Sequence, residues 1–177
     1  GFRSALSHQR PPPPPPPPPK NPPADVLPII ATAVVESVDT SYLETLVGYN
    51  ARMAALTAIG QFVPRMAGYG LRIVDFSILS VIHHNPGITS RQLCDVLNLL
   101  PPNLVGKIDA LEKRGLVRRH PHPLDGRALG LYLTEGGNEL MAQAEITASE
   151  LETEVASALT ASERKTLIRL LQKIYRA

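Results

Sequence analysis

The chain has 177 residues, 44% hydrophobic and 19% charged, with a formal net charge of +2. That length and composition suit one globular domain with its own core and exclude a disordered or fibrous chain. A near-balanced charge excludes a surface that is basic throughout, so any affinity for nucleic acid has to come from locally concentrated basic residues.

The single cysteine, Cys94, rules out an intrachain disulfide and fits a reducing, cytoplasmic location. No run approaches the roughly 20 apolar residues that span a bilayer. Residues 1–10 hold neither an initiator methionine nor a signal-peptide core, and they read as a clipped segment outside the fold. Residues 11–19 are all proline. Without backbone donors they are predicted to form a polyproline II spacer, ~3.1 Å per residue and so roughly 28 Å long. Residues 1–37 therefore read as a disordered proline-rich leader, the alternative being a ligand segment for an SH3-type domain. The folded domain is expected over 38–177.

Ser41 with Glu44 forms a capping box, and Leu43, Leu46, Val47, Asn50, Met53 and Ala54 share one helix face, which predicts a first helix to about Ile59. Gly60, Pro64, Gly68 and Gly70 then read as a break. A second helix is predicted over 73–83, ended by Asn85-Pro86-Gly87. Thr89 with Gln92 makes another capping box before a short helix carrying Leu93, Val96 and Leu97, which turns at Asn98-Leu99-Leu100. Pro101 and Pro102 suit the first turn of the next helix, predicted to run to Arg114 with Leu104, Val105, Ile108 and Leu111 inward. Two short helices joined by such a turn are a helix-turn-helix candidate whose second helix enters a major groove.

Gly115 stops that helix, and residues 116–119 and 129–133 read as strands joined by a proline-rich loop, which together make a wing. Thr134 caps a long helix through Leu140, Met141, Ala144 and Ile146 past Leu151. Thr160 with Glu163 opens a last helix bearing Leu167, Leu170, Leu171 and Ile174. The apolar surplus at both chain ends predicts a homodimer. The expected fold is mainly α: a winged helix-turn-helix domain with a two-stranded wing, a DNA-binding core over 71–137, and N- and C-terminal dimerisation helices over 39–59 and 138–177.

Between Lys113 and Arg127 the cations Lys113, Arg114, Arg118, Arg119 and Arg127 face one acid, Asp125, with His120 and His122 beside them. The alternative to a phosphate-binding wing is a merely solvated patch. The runs Leu111-Glu-Lys-Arg-Gly-Leu-Val-Arg118, Asp125-Gly-Arg127-Ala and Leu133-Thr-Glu-Gly-Gly137 resemble the wing region of MarR-type (multiple antibiotic resistance regulator) transcription factors. The resemblance implies a six-helix winged fold, a two-fold dimer and a pseudo-palindromic operator in double-stranded DNA. It also implies that Arg127 enters the minor groove and that Asp125 supports the wing by pairing with basic side chains.

The opening of the second helix, Pro101-Pro102-Asn103, and Gly106 depart from the usual pattern of that family. Asn103 and Lys107 are the candidates for base contacts, with Pro102 beside them. Ser90, Arg91 and Gln92 are candidates for phosphates, and Arg118, Arg119 and His122 for contacts from the wing. The resemblance further implies a pocket for a small aromatic or phenolic acid. Tyr49, Arg52, Met53 and Phe76 are candidates for its lining, the alternative being plain core.

Cys94 follows Leu93 on the core side of its helix, which favours a buried, unreactive thiol over a redox sensor. His83-His84 and His120-Pro-His122 lack the cysteine or carboxylate company of a zinc site and read as surface or helix-end histidines, so no metal or cofactor is expected. With no glycine-rich phosphate loop, nucleophile elbow or paired carboxylates, no enzymatic activity is expected. The reading is a DNA-binding regulator with no membrane partner; the alternative is a winged-helix protein-interaction module.

Overall fold

A computed structural model describes residues 13–17 and 35–177. Residues 13–17 are exposed and carry neither helix nor strand; most of the expected proline-rich leader lies outside the described residues. Residues Leu43–Ala177 form one compact unit. After a 3-10 turn at Leu43–Thr45 come α1 (Val47–Ala67), α2 (Ile73–His84), β1 (Ile88–Thr89), α3 (Ser90–Leu97) and α4 (Pro101–Lys113). The hairpin β2 (Val117–Pro121) and β3 (Leu129–Leu133) follows, then α5 (Glu135–Val155) and α6 (Ala161–Tyr175).

The first helix starts and ends later than its local signals suggest. Ser41 turns its N–H to Asp39 Oδ1 at 2.9 Å instead of capping a helix, and the N-cap is Leu46. Asn50 Nδ2 donates to the carbonyls of Glu44 and Leu46, both at 2.8 Å, and stitches the 3-10 turn to α1. Gly60 and Pro64 then lie inside the helix. A helical glycine costs about 1 kcal/mol and an interior proline about 3 kcal/mol, more than the ~1.5–3 kcal/mol gained by fully burying Met66 alone; continuing the helix also brings Phe62 and Tyr69 onto the core, and together these contacts override the break. The helix stops only at Gly68, and Gly70 takes the left-handed φ of +65° that brings Leu71 N–H back to Met66 O at 3.1 Å.

Helices α2 and α5 pack on α1, and the core joins them to the helix-turn-helix through Met66, Ile78, Leu79, Ile82, Leu93, Leu104, Ile108, Leu111, Leu131 and Met141. Arg65 and Glu154 form an ion pair at 2.6 Å between α1 and α5, which raises the guanidinium above its ordinary pKa. Leu104, Ile108 and Leu111 point inward on α4 as expected. Val105 does not: it is 54% exposed, because at about 100° per residue it sits a quarter-turn off that stripe.

The sheet has three strands in the order β1-β3-β2, all antiparallel. The hairpin pairs Val117 with Leu133 through Pro121 with Leu129. The added strand β1 pairs Ile88 with Leu131 and Thr89 with Gly130, and its two residues are too short for an alternating pattern to announce it. Gly130 fits closely beneath the turn: a Cβ there would stand 3.2 Å from Gly87 O, so the neighbouring backbone would have to give by a few tenths of an ångström.

Thr134 then caps α5 by accepting from Gly137 N–H at 3.0 Å, and donates to Gly115 O. Within the chain α6 buries no residue, and Leu46, Leu56, Ile59, Leu167, Ile168, Leu170, Leu171 and Ile174 are exposed on α1, its approach and α6.

Candidate nucleic-acid interface

Thr89 opens the helix-turn-helix by accepting from Gln92 N–H at 3.2 Å while its own N–H donates to Gln92 Oε1 at 3.0 Å. Leu93 and Cys94 are buried beneath α3, so the thiol occupies the core position read from the sequence. Asn98 takes the left-handed conformation (φ 51°, ψ 47°) and closes the turn, after which Pro101 and Pro102 fill the donor-poor first turn of α4. Opposite the buried stripe of α4, the helical period places Pro102, Gly106 and Lys113 outermost, with Asn103 and Asp109 on the flanks. All five are exposed. Ser90 and Arg91 stand exposed at the start of α3, across a cleft from Pro101 and Val105. Gln92 has its carbonyl engaged in the cap.

Lys107 lies off this outer line. It is half-buried and lines a cavity of about 530 Å³ with Val63, Ala67, Leu71, Arg72 and Val74, on the side of α4 that faces α1 and α2.

The basic residues of the wing divide into two groups. Arg114 is structural, donating to Gly70 O at 2.8 Å and Tyr69 O at 3.3 Å and so tying the end of α4 to the α1–α2 turn. Arg119 pairs with Asp109, and its Nε lies 3.0 Å from Glu112 Oε2, an ion pair without hydrogen-bond alignment; the pairs clamp β2 to α4. Arg118 is exposed, contacts His120 and lies over the Tyr132 ring at 5.2 Å. Arg127 is exposed at the tip, and among the described residues its guanidinium has no ion pair. Asp125 Oδ1 accepts the Arg127 backbone N–H at 3.0 Å, so it shapes the tip through the main chain, where pairing with basic side chains was expected. Ala128 N–H to Asp125 O, His122 N–H to Ala128 O and Leu124 N–H to His122 Nδ1 complete the turn.

The four residues expected to line an effector pocket are not brought together. Phe76 meets Phe62 edge-on at 5.1 Å and lines a 260 Å³ cavity with Ile73, Leu151 and Val155. Tyr49, Arg52 and Met53 lie in the first two turns of α1 and do not line it. Sequence reasoning did not find Arg72 as a second cation beside Lys107, nor Glu145 beside the histidine pair. His84 Nε2 lies 2.9 Å from Glu145 Oε1, a contact across 61 residues that no local pattern signals. Among the described residues no helix is long and apolar enough to cross a membrane.

The sequence profile of the MarR family matches residues 69–128. In fold, the chain is similar to the transcriptional repressor CouR bound to a 23-mer DNA duplex, at 31% identity and a TM-score of 0.73 over 78% of this chain and 99% of that one. It is also similar to a variant of MarR from E. coli complexed with operator DNA, at 27% identity and a TM-score of 0.69 over 77% of this chain and 99% of that one. A Thauera aromatica protein, described as a candidate transcriptional regulatory protein for the hcr operon, is 28% identical over 130 residues, 73% of this chain and 78% of its own length. Winged helix-turn-helix geometry, the matched profile and the likeness to CouR agree: the chain belongs to the MarR family of transcriptional regulators.

Proposed function

We propose that the protein binds a pseudo-palindromic operator as a homodimer and that a small anionic aromatic ligand modulates this binding. The observation that carries the reading is the pairing of an exposed α4 face with a wing whose Arg118 and Arg127 remain exposed while Arg114 and Arg119 are engaged within the fold. Each α4 would enter a major groove along its Pro102–Asn103–Gly106 side, with half-sites about one helical turn apart. Arg127 would reach the adjacent minor groove, with Arg118 and His122 near the backbone. Ser90, Arg91 and the amide of Gln92 would meet phosphates at the start of α3. Dimerisation is proposed for α1 and α6, whose apolar faces the single chain leaves open.

For the ligand, the best-suited space is the cavity beneath α4, because its apolar wall carries two cations, Arg72 and Lys107, able to receive a carboxylate. A ligand there would hold Lys107 away from DNA and tie α4 to α1. The role requires binding and release alone, with no chemical step, and operator binding would place the protein in the cytoplasm with the DNA.

Selection from a random duplex pool, followed by a salt titration on the selected and a scrambled duplex, tests the reading. A palindrome and a log–log slope of several units are expected, the slope counting neutralised phosphates. Absence of any selected motif together with a flat salt response would favour the protein-interaction module instead.

A further inference from the structure

We propose that His83, His84 and Glu145 form a binding site for a divalent transition-metal ion of the zinc class, at the junction of α2 and α5. One ligand atom from each residue falls within a sphere where all three lie within 4.8 Å of one another. The set is the right one for such an ion: imidazole nitrogens and a carboxylate oxygen, with room for water in a fourth position. In a tetrahedral site with bonds of ~2.0–2.2 Å the ligand atoms stand about 3.4 Å apart, so side-chain rotation over roughly 1.4 Å closes the set. His84 Nε2 already lies 2.9 and 3.0 Å from the two oxygens of Glu145. A metal ion would sit between these groups.

Around the three groups lies a supporting shell. Asn138 Oδ1 contacts His83 Nδ1 at 2.8 Å, which orients the ring. Ser80 Oγ donates to Glu145 Oε1 at 2.8 Å and fixes the carboxylate, whose second oxygen faces His84 Nε2 at 3.0 Å. Metal-bound histidines and carboxylates are oriented by outer partners of this kind, and losing one weakens metal affinity about 10–100-fold. The two imidazoles are neighbours on the last turn of α2, edge-on at 5.0 Å, and Glu145 is half-buried beside them on the helix that follows the wing. An ion there would pin the end of α2 to α5.

Titration of the full, untagged chain with Co(II), followed by Zn(II) displacement, tests the site. One Co(II) per chain is expected, with the visible absorption of a four- or five-coordinate ion that Zn(II) abolishes, and a thermal midpoint raised by Zn(II). His84→Ala and Glu145→Gln should each weaken Co(II) binding at least about tenfold with far-UV circular dichroism unchanged, and Asn138→Ala should weaken it too. Exposed His84 and isosteric Glu145→Gln carry the test even if another variant fails to fold. A chain with His8, His120 and His122 all replaced by alanine should bind as the parent does. Stoichiometry far below one per chain, parental affinity in Glu145→Gln, or loss of binding in the triple variant would overturn the assignment.

Discussion

Gly137 is the most constrained glycine in the wing-to-helix connection. A Cβ there would stand 2.2 Å from the Leu116 carbonyl oxygen, a backbone atom that cannot turn away. Gly137→Ala should therefore force α5 off the hairpin and cost about 3 kcal/mol or more, read as a fall in the denaturation midpoint; a loss under about 1 kcal/mol would show that the junction yields. At the wing tip, Arg127→Ala should weaken operator binding and lower the salt slope by about one unit, with thermal stability nearly unchanged. Asp125→Ala should also weaken binding, by roughly fivefold for a lost hydrogen bond of ~1 kcal/mol, although it removes a negative charge from near DNA. Asp125→Asn keeps the oxygen that accepts the Arg127 N–H and should restore affinity. Tighter binding by Asp125→Ala would mean that charge, and not tip geometry, is what matters there. The identity of Asp125 was readable from the sequence, but its main-chain route of action was not, because an Asx turn and a side-chain ion pair begin with the same residue.

Gly106 sits on the outermost line of α4 with nothing within 4 Å of where its Cβ would be. Intramolecular packing gives no reason for a glycine that costs the helix about 0.5–1 kcal/mol relative to alanine. Close approach to DNA would supply one. Gly106→Ala should raise the thermal midpoint by roughly 2–4 °C and weaken operator binding at least about tenfold, as fluorescence anisotropy would show. Unchanged affinity would place another line of the helix against the groove. Elements of this protein were legible in the sequence where their signals are local: the boxes at Thr89–Gln92 and Thr160–Glu163 form as read. They were misread where distant packing decides. Gly60 and Pro64 look like a break, yet Met66 beyond them is needed in the core, and β1 is visible only through its pairing with Leu131 and Gly130. The same holds for Arg119, whose partners Asp109 and Glu112 lie on a different element and turn an apparent DNA cation into a clamp.

Across the whole molecule, the open apolar faces of α1 and α6 border a groove of about 620 Å³ lined by Val47, Ala54, Leu159, Leu167, Ile168 and Leu171. A second copy is the expected cover, and light scattering at micromolar concentration should return a dimer. Leu171→Glu should shift it to monomer and abolish operator binding at the same protein concentration, since one half-site contact alone is weak. A parent that scatters as a monomer would refute the arrangement. One residue then bears on how such a dimer reads its site. Thr89 belongs to the sheet through Gly130 and is also the N-cap of α3, so the hairpin and the helix-turn-helix are joined in a single peptide unit. The base of the wing is thereby tied to the helix-turn-helix, and on DNA each lobe would act like the jaw of a caliper, with the groove contacts of α4 and the backbone contacts of the hairpin in fixed phase. Two base pairs inserted within a half-site, between the step met by α4 and the groove met by the wing, would cost both contacts at once, whereas a single base change would cost one.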